Sequence, residues 1–327
     1  MSGLEKSKRI CEKLRAEMGA TLLGYLEDDD IIEIMLNPDG RLWTEGHSSG
    51  IVDRGTIDHA KGVAIIGTVA AACGTVVTKD MPVLSGELPL DGSRFQGMIP
   101  PVCVGPTFTI RKKAVKVFTL DNYVDSEIMT PDIANRLRTA ILDKRNIVIA
   151  GGTGSGKTTL TNAGIDALQA LCPDERLVII EDTAEIQCKQ ENAVIMRSND
   201  TVSMNDLLRS TMRMRPDRII VGEVRGGEAL TLLKSWNTGH PGGFATVHAN
   251  SAVSALDRLE QLISEVSVAP MGRLIGEVVD IVLFIEKANG VRRIGQMIEV
   301  AGHDGQTYLT HQIYPKTTHK EETHNVA

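Results

Sequence analysis

The sequence predicts an α/β fold with a parallel sheet, and three features carry that expectation. Short apolar runs at residues 147–150, 177–180, 218–222 and 244–248 alternate with helical patterns that begin near Lys157, Asn205 and Glu228. Runs without polar alternation are the pattern of strands covered on both faces, as in parallel sheets. The first run also passes without a gap into Gly151-x4-Gly156-Lys157-Thr158 and then into a helix, a strand–loop–helix unit suited to holding phosphate.

The leading part has a different texture. Leu4, Cys11, Leu14, Met18, Leu22 and Leu26 recur at helical steps with charge between them, which predicts an amphipathic helix ended by Asp28-Asp29-Asp30. Residues 31–36 and 41–45 read as strands around the Asn37-Pro38-Asp39-Gly40 turn, and residues 56–73 as a second helix. A further hairpin is expected at 87–90 and 94–99 around Asp91-Gly92-Ser93, followed by a strand at 107–111. If Phe95, Phe108 and Ile110 face the core, strand parity turns Arg94 and Arg111 outward. Residues 116–130 have the composition of a connector. Thr130-Pro131-Asp132 then opens a helix with an N-cap, a proline in the first turn and an acid beside it. The expected boundary lies near 128: an α+β domain with its connector over 1–128, and the phosphate-loop domain over 129–327. That second domain is expected to finish with strands at 280–286 and 291–300 around Asn289-Gly290, another at 307–313, and a frayed tail.

Composition narrows the function classes. The chain has 327 residues, 42% hydrophobic and 24% charged, with a net charge of −7, which disfavours a protein devoted to gripping nucleic acid despite the local Arg111-Lys112-Lys113 stripe. Five scattered cysteines, without paired spacing, indicate neither a disulfide framework nor a zinc site and fit a reducing cytoplasm. The first residues lack the apolar segment of a signal peptide. The uncharged stretch at 62–78 is short and glycine-diluted for a membrane span and reads as a buried helix.

The loop defines the chemistry. Gly152, Thr153, Gly154, Ser155 and Gly156 let successive amides converge on phosphate oxygens, and the following helix adds its positive end. Lys157 meets the β and γ phosphates, Thr158 is the candidate Mg²⁺ ligand, and Thr159 follows in the first turn. A nucleoside triphosphate and Mg²⁺ are therefore the expected ligands. Hydrolysis needs a carboxylate at the carboxyl ends of the strands, and two runs end that way: 177–180 into Glu181-Asp182 and 218–222 into Glu223. Glu223 is the expected base, with Glu181 holding magnesium or the attacking water and Asp182 supporting. The run at 244–248 ends in His248, a candidate γ-phosphate sensor. The glycine-rich segment 239–243, with His240, reads as a loop able to change with nucleotide state.

Taken together, the loop, Glu181-Asp182-Thr183, Gly222-Glu223-Val224-Arg225 and Thr246-Val247-His248-Ala249 resemble, in order and spacing, the Walker A, aspartate-box, atypical Walker B and histidine-box hallmarks of the type II/IV secretion ATPases. Arg94-Phe95-Gln96-Gly97 and Thr109-Ile110-Arg111-Lys112 look like that family's N-terminal domain, and residues 36–43 look most like its conjugal-transfer branch. The tetracysteine zinc motif and long N-terminal extension of type II and pilus-extension members are absent from the sequence. The resemblance implies a RecA-like P-loop domain preceded by a PAS-like one, and a homohexameric ring on the cytoplasmic face of the inner membrane. It also implies ATP held between the domains, Arg94 and Arg111 reaching the γ phosphate, and partners among the inner-membrane and cytoplasmic components of a type IV secretion apparatus. Arg213, Arg215 and Arg225 are alternative donors. The expected function is an ATP-hydrolysing motor for pilus assembly or DNA and protein transfer. A nucleotide-gated scaffold with little hydrolysis and a small-molecule P-loop kinase are the rival readings.

Overall fold

The computed structural model describes residues 3–315 apart from His47, residues 114–117, Asp200 and Asn289. The expected tail of the last dozen residues and the first residue of the Asn289-Gly290 turn lie outside the described residues. The chain forms two compact units that divide between residues 115 and 116.

In the first unit, helix α1 (Gly3–Glu27) precedes strands β1 (Ile31–Leu36), β2 (Arg41–Gly46) and β3 (Gly50–Thr56), helix α2 (His59–Ala72), and strands β4 (Val83–Glu87), β5 (Arg94–Met98) and β6 (Thr107–Arg111). The strands pair antiparallel in the order β3-β2-β1-β6-β5-β4. Leu14, Met18 and Leu22 of α1 and Ile65, Ile66 and Val69 of α2 pack on Ile34, Leu36, Phe95, Phe108 and Ile110 in one core. The helix expected at the start is broken at Gly19, whose φ of 66° and ψ of 175° leave the helical region. The uncharged stretch supplies α2, with Gly62, Ile65, Ile66, Thr68, Val69 and Ala70 buried. The hairpin strand expected at 87–90 lies earlier, at β4, because Leu88 already donates its amide to Ser93 in the turn.

The second unit continues with α3 (Leu120–Asp125), α4 (Pro131–Leu142), β7 (Ile147–Gly151), α5 (Lys157–Leu171), β8 (Leu177–Glu181), β9 (Ala193–Arg197) and α6 (Met204–Thr211). After these come β10 (Arg218–Val224), α7 (Glu228–Asn237), β11 (Phe244–His248), α8 (Ala252–Ser264), α9 (Gly272–Val278), β12 (Ile281–Ala288), β13 (Val291–His303) and β14 (Tyr308–Tyr314). Residues 120–125, expected as connector, are helical. A Thr119–Asn122 capping box starts α3, and Leu120 and Tyr123 join the core of this unit, so the boundary expected near 128 falls inside it.

One sheet, ordered β14-β13-β12-β7-β11-β10-β8-β9, organises this unit. The strands from β12 to β9 run parallel, and β13 and β14 add an antiparallel edge. The sheet is therefore mixed, not wholly parallel. Its central strands β12, β7, β11, β10 and β8 are buried on both faces over most of their length and divide their residues by parity. Val148 and Ala150 of β7 face a core with α7, α8 and α9, whereas Ile147 and Ile149 face one with α3, α4 and α5. Gly164 lets α5 close on the sheet, since a Cβ there would stand 2.8 Å from Phe244 Cε1. The parallel order turns the carboxyl ends of β7, β8, β10 and β11 to one edge, where the candidate residues follow.

Candidate active site

At that edge β7 ends in Gly151 and α5 begins at Lys157. Gly154 (φ 69°) and Gly156 (φ 101°) are left-handed, the conformation that lets the chain curl back on itself and that a Cβ resists. Gly156 caps α5 without a side chain, which leaves the first helical amides to a ligand. Lys157 is 8% exposed, and its Nζ donates to the carbonyls of Gly151 (3.0 Å) and Gly152 (3.1 Å). Ser155 Oγ is buried beside them with no hydrogen-bond partner among the described residues. A curled glycine loop, an ammonium group and a buried hydroxyl fit the phosphates of a nucleotide.

Two strands bring the next groups together. His248, at the end of β11, has both ring nitrogens 3.4 Å from Lys157 Nζ, and its Nε2 lies 2.7 Å from Glu223 Oε1, close but out of hydrogen-bond alignment. Glu223, on β10, gives its other oxygen to Arg225, which also binds Asp182. Burial and the Lys157 charge hold His248 below the ordinary histidine value, against the pull of Glu223. The ring is therefore neutral near pH 7. Arg225, expected as an alternative donor, is engaged by the two carboxylates.

Glu181, expected to hold magnesium or water, is turned to another task. It is 2% exposed; Oε2 accepts the amides of Glu185 and Ile186, both at 2.9 Å, and Oε1 takes Arg197 Nε at 3.4 Å. Burial pushes its carboxyl above the ordinary range despite these donors. The chain bends after β8 because the Glu181 side chain folds forward onto those amides. Glu185, which the sequence did not single out, then accepts the Thr158 hydroxyl at 3.2 Å. A hydroxyl beside a carboxylate suits Mg²⁺, which takes few protein ligands together with water and phosphate oxygens. No cluster of three His, Cys, Asp or Glu side chains fit to hold a metal by itself occurs among the described residues.

The glycine-rich segment 239–243, expected to respond to nucleotide, precedes β11 and so lies at the opposite end of the sheet from the phosphate loop. Asn146 Oδ1 accepts the amides of Gly242 and Gly243, Arg218 binds the Gly242 carbonyl, and His240 Nδ1 lies 2.9 Å from the Pro216 carbonyl oxygen. Its glycines serve close packing: a Cβ at Gly243 would stand 2.1 Å from the Ile219 carbonyl oxygen. In the first unit Arg94 and Arg111 are direct cross-strand partners on β5 and β6, and Arg111 Nε binds Glu33 at 2.8 Å. Phe95, Phe108 and Ile110 are buried there, as the parity of those strands requires.

Residues 76–288 match the model of the family described as type II/IV secretion system proteins. The chain belongs to this family. Within it, the chain is 51% identical to the conjugal transfer protein TrbB of Rhizobium radiobacter over 95% of this chain and 96% of that one. It is 31% identical to the type IV secretion system protein PtlH of Bordetella pertussis, with 86% and 93% covered. The resemblance to the conjugal-transfer branch is thereby borne out. Among solved structures, the Legionella pneumophila ATPase DotB aligns with a TM-score of 0.61 over 84% of this chain and 78% of that one at 19% identity, a likeness of fold. The two chains thus share an α/β fold.

Proposed function

We propose that the chain is an ATPase that drives a conformational cycle in a type IV secretion or conjugation system. The observation that carries this reading is the convergence of Lys157, His248 and Glu223 at the carboxyl ends of the parallel strands of one sheet, beside a left-handed glycine loop. The likeness to proteins named for conjugal transfer and type IV secretion brings in the biological setting. The second unit is read as RecA-like and the first as PAS-like.

In this reading the amides from Gly152 to Thr159 and the Lys157 ammonium bind the β and γ phosphates. Glu223 orients water through Oε1 and takes its proton as the water oxygen bonds to the γ phosphorus. The bond from that phosphorus to the β–γ bridging oxygen breaks, leaving ADP and phosphate. His248, neutral and next to Lys157, donates to the γ-phosphate oxygens and relays their presence to Glu223. Thr158 and Glu185 would hold Mg²⁺, which would supply neutralisation of phosphate charge. Arg94 and Arg111 are assigned as further donors to phosphoryl charge, a role worth about 10³ to 10⁵ in rate where a guanidinium reaches the transition state. Six copies form the working ring, and it acts with the apparatus at the cytoplasmic side of the inner membrane. No helix among the described residues is long and apolar enough to cross a membrane.

Phosphate release from the purified chain, measured across protein concentrations that span self-assembly, tests the reading. Wild type is expected to turn over ATP without an acceptor, and Lys157→Ala and Glu223→Gln to fall by at least about 100-fold. Near-normal turnover in either variant would overturn the assignments. The clamp of Arg225 on Glu223 favours a second reading, a nucleotide-gated scaffold. That reading requires ATP binding with no turnover at any protein concentration.

A further inference from the structure

The order of the sheet sets the direction in which a nucleotide lies. From β7, which delivers the loop, β11, β10 and β8 lie on one side with His248, Glu223 and the turn carrying Glu185; β12 and β13 lie on the other. The γ end belongs with Lys157, His248 and Glu223. The α phosphate and nucleoside must then leave the loop on the β12–β13 side.

On that side the hairpin touches both ends of the loop. A Cβ at Gly151 would stand 2.4 Å from the Ile285 carbonyl oxygen of β12. A Cβ at Gly156 would stand 3.3 Å from Arg292 Cδ and 3.5 Å from Arg292 Nε on β13. Arg292 thus lies along the glycine that precedes Lys157. Its Nε is buried and has no hydrogen-bond partner among the described residues, an uncommon condition for a strong donor. The base of the hairpin is fixed, because Ile294 donates its amide to the Ile128 carbonyl at 2.8 Å and Ile285 opposes Ile294 across the strands. Tyr123 of α3, 4% exposed, lies within the field of the Arg292 charge and is braced edge-on by Phe118. A charged fork with an unused buried donor, held on a rigid hairpin at the exit side of the loop, suits a phosphate oxygen.

We propose that Arg292 is a nucleotide-binding residue that donates to the α phosphate of bound ATP or ADP. The contact rests on the nucleotide site proposed above, and it ties the C-terminal hairpin to the nucleotide. Because both nucleotides carry an α phosphate, Arg292 serves them alike, whereas the groups at the γ end distinguish them.

Affinities for a fluorescent ADP and a non-hydrolysable ATP analogue test this with two variants. Arg292→Met keeps an aliphatic stem against Gly156 and removes the charge. It is expected to weaken both ligands by the same factor, about 10- to 100-fold, with an unchanged melting temperature. Arg292→Lys is expected to fall between that variant and wild type, and it decides the matter alone if the methionine variant does not fold. Wild-type affinity in Arg292→Met would show that the stem merely props the loop and would overturn the proposal, as would wild-type affinity in Arg292→Lys. A loss confined to the ATP analogue would overturn it too, by moving the contact to the γ end. If wild type binds neither ligand, the nucleotide site itself fails; if wild type binds and both variants bind equally well, only the Arg292 assignment fails.

Discussion

Glu181 holds Glu185 in place: Glu181 Oε2 accepts the Glu185 amide at 2.9 Å, and Glu185 Oε2 in turn accepts the Thr158 hydroxyl at 3.2 Å. One carboxylate shapes the bend after β8, and the other stands at the phosphate loop. Their substitutions should therefore separate. Glu185→Gln is expected to raise the Mg²⁺ concentration needed for half-maximal phosphate release by about 10- to 100-fold, with metal-free nucleotide affinity unchanged. Glu181→Gln keeps an acceptor for the two amides and is expected to move the Mg²⁺ requirement far less. A magnesium titration in which Glu181→Gln shows the larger shift would return the metal to Glu181.

The charges around His248 give a second prediction. Burial and Lys157 lower its pKa from the ordinary 6.5, and Glu223 opposes them. A depressed histidine favours the neutral folded form, so its contribution to stability is present above 6.5 and is lost as pH falls through the folded value. NMR titration of the imidazole should show a midpoint below 6.5. Glu223→Gln should move it further down and Lys157→Ala up. An upward shift in Glu223→Gln or a downward shift in Lys157→Ala would remove the electrostatic link between these three side chains.

Gly156 resists substitution on two grounds. Its φ of 101° strains any residue with a Cβ, and that Cβ would meet Arg292 at 3.3 Å. Gly156→Ala is expected to lower stability by about 1–2 kcal/mol in chemical denaturation and to reduce ATP affinity by more than Gly152→Ala does. The contrast follows from the open space around Gly152, which has no heavy atom within 4 Å of a built Cβ.

How much of this was legible depended on whether a residue's role is local. The buried strands at 147–150, 177–180, 218–222 and 244–248 announce themselves because both faces are apolar, and the loop because only glycine tolerates its curl. β3 was unreadable, since its largely exposed Gly-Ile-Val-Asp-Arg-Gly-Thr has no apolar face. β9 and the seven-residue α9 are likewise too short and too mixed to show a period. Glu185 was missed because the direction of a carboxylate after a strand depends on how the next four residues bend. Arg292 was missed because only the sheet order brings a distant hairpin to Gly156.

Arg218 supplies the last prediction, at the edge of the sheet away from the loop. It is 0% exposed at the start of β10, and its guanidinium binds Glu175, the Gly242 carbonyl and Cys172 Sγ. Lys144 binds the other Glu175 oxygen at 2.9 Å. Burial raises the Glu175 pKa, but Arg218 and Lys144 outweigh it and leave the carboxyl below its ordinary 4.5. Removing the carboxylate strands a buried cation, which costs about 3–5 kcal/mol for a fully buried pair; Glu175 keeps 19% exposure, so Glu175→Gln is expected near about 3 kcal/mol in urea denaturation at pH 7. Because the folded pKa is depressed, the stabilisation is present above 4.5 and disappears as pH falls through the folded value, where wild type is itself protonated. The gap between wild type and Glu175→Gln should therefore close in acid while nucleotide affinity at pH 7 stays equal in the two proteins. A gap that persists unchanged well below pH 4.5 would mean that packing, not charge, holds this corner of the sheet.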